Sequence, residues 1–81
     1  MPEITIDQTL DASGLPCPMP LLKTKQALHK MGEGKVLKVI ATDAGSIRDV
    51  ITFVEHSDHT LLESFTEKEP YQYIIRKGAK T

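Results

Sequence analysis

Apolar residues recur along this chain with two different spacings, and the changes of spacing divide it into six segments. Ile4, Ile6 and Leu10 alternate with polar neighbours, interrupted at Gln8, so residues 3–10 are expected to form a strand with one buried face. From Pro18 to Met31 the period lengthens. Leu21, Thr24, Ala27, Leu28 and Met31 fall on one helical arc, and Gly32 and Gly34 follow as stop signals. The stretch KVLKVIAT, residues 35–42, has apolar side chains on both faces, which suits a central strand. A turn in TDAGS leads to a second helix with Ile47, Val50, Ile51 and Val54 toward the core. Ser46 followed by Asp49 resembles a capping pair at its start, with a shorter acid than usual. TLLESFT (60–66) and YQYIIR (71–76) read as two more strands joined through EKEP.

The resulting order is βαβαββ. A strand–helix–strand unit crosses over right-handed and pairs its strands in parallel. The last two strands, joined by a short turn, should be antiparallel. The economical packing is an α/β (α+β) two-layer sandwich: a mixed four-stranded sheet with both helices on one face. With 81 residues, of which 40% are hydrophobic, the chain is expected to be a single domain over 1–81 with one modest core.

Composition narrows the possible functions. The apolar runs are too short to span a bilayer, so no membrane association is expected. The opening MPEITIDQTL is acidic and alternating, unlike a signal peptide. One cysteine cannot close an internal disulfide, which makes a reducing, cytoplasmic setting the default. Net charge is −1 but unevenly spread. Residues 18–38 hold five lysines against Glu33, whereas residues 39–70 hold seven acids against Arg48 and Lys68. That balance argues against direct nucleic-acid binding, while the basic block could steer an acidic protein partner.

The candidate chemistry lies in SGLPCPMPLL, residues 13–22, where Cys17 stands between prolines. Proline fixes its own φ and keeps the preceding residue out of the helical region. Cys17 is therefore expected to be extended at the N-cap, with Pro18 at the first helical position and Pro20 in the same turn. Met19, which precedes Pro20, disfavours helix, so the regular helix is expected to begin a residue or two late. The positive end of the helix favours thiolate, moderately, because the two prolines remove nearby N–H donors. The prolines also stiffen the exit of the sulfur, leaving little entropy to lose when a partner docks.

On the first helix Leu22, Lys25, Gln26 and His29 face away from the core arc. Leu22, Lys25 and His29, with Met19, are candidates for partner docking. A thiol–imidazole pair between Cys17 and His29 is excluded by about 18 Å of intervening straight helix. Asp43, Arg48 and Asp49 surround the second helix start, and Asp11 precedes SGLPC; both loops follow strands of one sheet and so are possible neighbours of Cys17. No His, Cys, Asp and Glu cluster has metal-ligand spacing, and no metal or cofactor is expected. A thiol in this setting suits attack on a partner's persulfide or disulfide.

The segment LDASGLPCPMPLL resembles the TusA/SirA-like family of small sulfur-carrier proteins, and the likeness runs over nearly the whole chain. It rests on LDASGL with Gly14, on the Cys-Pro-x-Pro signature at Cys17, Pro18 and Pro20, on ATDAGSIRDV at 41–50, and on YQYIIRKG near the end. The resemblance implies the same βαβαββ sandwich and a sulfur carrier, a sulfurtransferase acting by persulfide relay. Cys17 would accept sulfane sulfur from a cysteine desulfurase or rhodanese-like donor and pass it to an acceptor protein. Members serve tRNA 2-thiouridine formation, molybdenum-cofactor sulfur supply or cytoplasmic sulfur trafficking in sulfur oxidisers. Asp43, Arg48 and Asp49 match family positions near the carrier cysteine. Met19 stands where an acidic residue marks the tRNA branch, which favours another branch. An alternative from a different class is a regulatory or RNA-associated binding module whose cysteine is structural or redox-sensing; its motivation is the basic 18–38 segment.

Overall fold

The computed structural model describes residues 4–79. The six segments become β1 (Gln8–Ala12), α1 (Met19–Lys30), β2 (Val36–Ala41), α2 (Gly45–Glu55), β3 (Thr60–Phe65) and β4 (Tyr71–Arg76). The sheet order is β1-β2-β4-β3. β1 and β2 are parallel, and the β2–β4 and β3–β4 pairs are antiparallel. The two strands with apolar residues on both faces, β2 and β4, are the central ones, as burial requires.

Register explains why both helices share one face. Leu37 stands opposite Ile75 and Val39 opposite Tyr73, while Leu10 and Ala12 of β1 align with Val39 and Ala41. Successive strand residues alternate between faces, so these side chains form a single surface. Ala27 and Leu28 of α1 and Val50 and Val54 of α2 pack on that surface in one cluster with Leu37, Val39, Tyr73 and Ile75. Each large aliphatic side chain buried there contributes about 2 kcal/mol. The opposite sheet face carries Lys38, Ile40, Gln72 and Ile74.

The first strand differs from expectation. Pairing starts at Gln8 opposite Leu37, preceded only by Asp7, whose N–H donates to Val36 O and whose carboxylate accepts from Val36 N–H. In the same register, residues 4–6 would lie against the turn before β2, which offers no ladder. Ile4 and Ile6 are accordingly exposed, and the strand instead extends through Asp11 and Ala12. The inward phase of the alternation is nevertheless kept by Leu10 and Ala12. Glu3 lies outside the described residues.

Both helix starts also depart from the sequence reading. The N-cap of α1 is Pro18 rather than Cys17, and Pro20 falls at the second helical position. The helix starts one residue later than Pro18, but Met19 is itself its first helical residue despite preceding Pro20, and Cys17 sits one residue outside the cap. Pro20 is fully buried, and the hydroxyl of buried Thr24 donates to its carbonyl at 2.8 Å, so the first turn is anchored in the core. α2 begins at Gly45 without a side-chain cap, which overturns the Ser46–Asp49 pair. Ser46 faces the sheet and its hydroxyl pairs with Tyr73 Oη at 3.0 Å in the core, leaving Asp49 free to turn elsewhere.

The far end of α1 is closed by the chain beyond β4. Lys77 is buried and its Nζ donates to Leu28 O at 2.6 Å and Met31 O at 3.0 Å, filling two carbonyls at the helix C-terminus. Beside it, buried His59 accepts the Gly78 N–H on Nδ1 at 2.9 Å.

Candidate functional site

Parallel neighbours β1 and β2 each release the chain into a helix at the same edge of the sheet. That topology brings the loops after them side by side, the usual place for a site in such folds. Gly14, at φ +81°, makes the turn that a residue with a Cβ would resist, and its N–H donates to Thr42 Oγ1 at 2.8 Å. Three residues later the Cys17 N–H donates to Asp43 Oδ2 at 3.0 Å. The Cys17 thiol donates to Asp49 Oδ2 at 2.6 Å. The cysteine is exposed, yet its amide is held by the β2–α2 loop and its sulfur by α2.

Gly45 makes this approach possible. A Cβ built there would stand 3.2 Å from Cys17 Cβ, 3.4 Å from Sγ and 3.0 Å from Asp43 Oδ2. The first turn of α2 is therefore the seat of the thiol, and a side chain at position 45 would fit only if Asp43 and Cys17 gave way by a few tenths of an ångström.

The electrostatics reverse the expected sign. The hydrogen bond to Asp49 pushes the Cys17 thiol above its ordinary pKa, followed by desolvation and the negative charges of Asp49 and Asp43; Arg48 pulls the other way. The helix-terminus argument for a favoured thiolate fails because a carboxylate in contact outweighs partial charges that the prolines had already weakened. Asp11, expected as a possible neighbour, instead accepts the Ser13 N–H at 3.0 Å in a local turn, and its hydrogen bonds from Ser13 hold its pKa below the ordinary value.

The docking candidates lie on α1. Leu22 is 43% exposed, and Lys25 and His29 are exposed along the same helix, while Met19 is half-buried. Lys25 is engaged within the molecule: its Nζ lies 5.3 Å from the centre of the Phe53 ring. A groove of about 500 Å³ between α1 and α2 is lined by Lys25, Gln26, His29, Lys30, Phe53 and His59. A second depression lined by Leu21, Lys25, Arg48, Asp49, Thr52, Phe53 and His56 shares Lys25 and Phe53 with it, so a shallow trough runs from the Asp49 end of the helix pair toward His59. Among the described residues no three His, Cys, Asp or Glu side chains converge as metal ligands, and no helix is long and apolar enough to cross a membrane.

Sequence reading thus placed Asp43, Arg48 and Asp49 near Cys17 but missed the contacts that matter, including Thr42 and Gly45. A glycine at a helix start beside a parallel strand end was the available signal. The arrangement suits one kind of chemistry: an accessible sulfur nucleophile on a stiff mount, with a carboxylate on its proton.

A family model described as sulfurtransferase TusA matches residues 8–77. The crystal structure of the SirA-like protein from Desulfitobacterium hafniense superposes with a TM-score of 0.70 at 25% identity, covering 91% of this chain and 99% of that one.

Proposed function

The chain belongs to the TusA sulfurtransferase family, and from that membership we propose that it is a sulfur carrier using Cys17 as its acceptor atom. The observation that supports this most is the exposed Cys17 Sγ held at the meeting of two helix starts. In the proposed step, Cys17 attacks the outer sulfur of a donor persulfide. A bond forms between Sγ and that sulfur, the donor S–S bond breaks, and the donor's inner sulfur leaves as thiolate. The proton lost by Cys17 ends on the donor, so a thiol and a persulfide become a persulfide and a thiol with no outside oxidant. Passage to an acceptor thiol repeats the exchange.

The donor is a cysteine desulfurase or a rhodanese-like protein, docking along α1 through Leu22, Lys25 and His29, with Met19 at the edge of the thiol. The acceptor belongs to tRNA 2-thiouridine synthesis, molybdenum-cofactor sulfur supply or cytoplasmic sulfur trafficking. Pro18, Pro20 and Gly14 hold the mount, and Asp43, Arg48 and Asp49 set its charge.

The test is intact-mass measurement after incubation with a rhodanese charged by thiosulfate, and separately with a cysteine desulfurase and cysteine. The expected result is a gain of one sulfur atom per chain, reversed by a thiol reductant and absent in Cys17→Ser. Wild-type protein that gains nothing from either donor class removes this reading.

A further inference from the structure

A relay thiol works in two states, empty and loaded, and the carboxylates around Cys17 act on them unequally. In the empty state Sγ carries a proton and donates it to Asp49 Oδ2 at 2.6 Å. In the loaded state Sγ is bonded to sulfane sulfur and has no proton to give, so that hydrogen bond cannot exist. A persulfide is moreover a stronger acid than the thiol from which it forms, and once ionised it is an anion beside Asp49 and Asp43. Both changes penalise loading: one removes an attraction and the other adds a repulsion. Among the charged groups around the sulfur, Arg48 alone opposes them.

We propose that Asp49 is a latch on the empty carrier: its carboxylate keeps the Cys17 proton in place, and the loss of that bond on loading tilts the carrier toward giving its sulfur up. This rests on Cys17 being the carrier atom, and it assigns a thermodynamic direction to the relay. The empty thiol is kept from wasteful reaction with small electrophiles and disulfides, because the thiolate is the nucleophile. The loaded form is held only weakly, so an acceptor need not bind sulfur tightly to take it. Asp49 touches the reacting sulfur and is fixed on α2, whose first turn is seated against Cys17 at Gly45, so the contact belongs to the packed structure rather than to a free side chain.

The experiment compares wild type, Asp49→Asn and the control Glu55→Gln, on the same helix but away from the sulfur, in two measurements. The first is the pH dependence of alkylation by iodoacetamide, which reads thiolate without any sulfur transfer. The second is the fraction of chains loaded at equilibrium in a fixed mixture of glutathione persulfide and glutathione. Asp49→Asn should move the alkylation profile to lower pH. The rate at neutral pH should rise about threefold to tenfold, because a more acidic thiol is more fully ionised there. The variant should also raise the loaded fraction, and Glu55→Gln should do neither. Asp43→Asn, which keeps an acceptor for the Cys17 N–H, should move both readouts the same way by less, because its bond is to the amide and not to Sγ; Asp49→Ala, which removes charge and acceptor together, carries the test if Asp49→Asn fails to fold. Unchanged alkylation profiles in the Asp variants overturn the latch even if wild type loads normally. Faster alkylation without greater loading overturns the tilt toward release. If wild type never loads, the carrier reading falls instead, and the alkylation profiles still decide whether Asp49 latches the thiol.

Discussion

Cys17 is exposed but chemically restrained, and the restraint comes from residues that are distant in sequence. Asp43 fixes its amide, Asp49 fixes its sulfur, and Gly45 supplies the space in which both bonds form. Gly45→Ala tests how tight that seat is. The added methyl would lie 3.0 Å from Asp43 Oδ2 and 3.2 Å from Cys17 Cβ, so each must give by a few tenths of an ångström. Asp43 yields more, because a carboxylate swings more easily than a loop between prolines, and Cys17 is nudged on its mount. The expected outcome is severalfold slower loading of Cys17, measured by quenched mass spectrometry, with thermal stability nearly unchanged because alanine is the better helix residue. Loading at the wild-type rate would show that the seat has slack. The stiff frame around Cys17 was legible in the sequence, since proline constrains the chain locally. The direction in which the thiol pKa moves was not, because it depends on which way Asp49 points, and that follows from how α2 packs beside α1.

At the scale of elements, α1 is held at both ends. Pro20 is buried at its start, and Lys77 closes its end, with His59 holding the neighbouring Gly78 N–H. The helix itself was legible from its apolar period, as were α2 and the two central strands. The clamp was not: Lys77 reaches a carbonyl 49 residues back along the chain, and a terminal lysine reads as solvated. β1 was misplaced for a related reason, since alternation marks an extended segment but only the partner strand sets where pairing begins. The clamp carries a pH dependence. His59 accepts the Gly78 N–H on Nδ1 and so must be unprotonated there. Burial lowers its pKa from the ordinary 6.5, with Lys77 adding to the effect and Asp58 opposing it. The unfolded chain therefore takes up the proton first as pH falls. The stabilisation is whole above about 6.5 and is lost as pH drops through the lower folded value. His59→Asn, whose amide oxygen can take the place of Nδ1, should flatten the fall in unfolding free energy as pH drops below about 6.5 in urea titrations. An equally steep fall in the variant would place the pH sensitivity elsewhere.

At the scale of the molecule, the uneven charge along the chain becomes a gradient along the two-helix face. Lys25 and Lys30 of α1 border the groove between the helices, while Asp43 and Asp49 lie at the sulfur end. A partner approaching Cys17 therefore meets negative charge at the reacting atom and positive charge farther along α1. The βαβαββ order and the basic stretch were both legible beforehand; the trough beside α1 was not, because periodicity cannot place Phe53 of α2 or His59 of the following loop beside α1. Lys25 is its pivot, exposed to a partner while its Nζ rests over the Phe53 ring. Lys25→Glu reverses one charge of the gradient and removes that cation from the ring. For an acidic donor surface, the second-order rate of sulfur loading should fall about threefold to tenfold at low salt, through slower association rather than slower chemistry. The deficit should vanish near 1 M salt, where the screening length is only about 3 Å. A deficit that persists at high salt would mean that the Lys25–Phe53 contact shapes the groove instead of steering the donor. Equal rates at low salt would show that the donor does not use this face of α1, and the docking surface would then have to lie on the other side of the thiol.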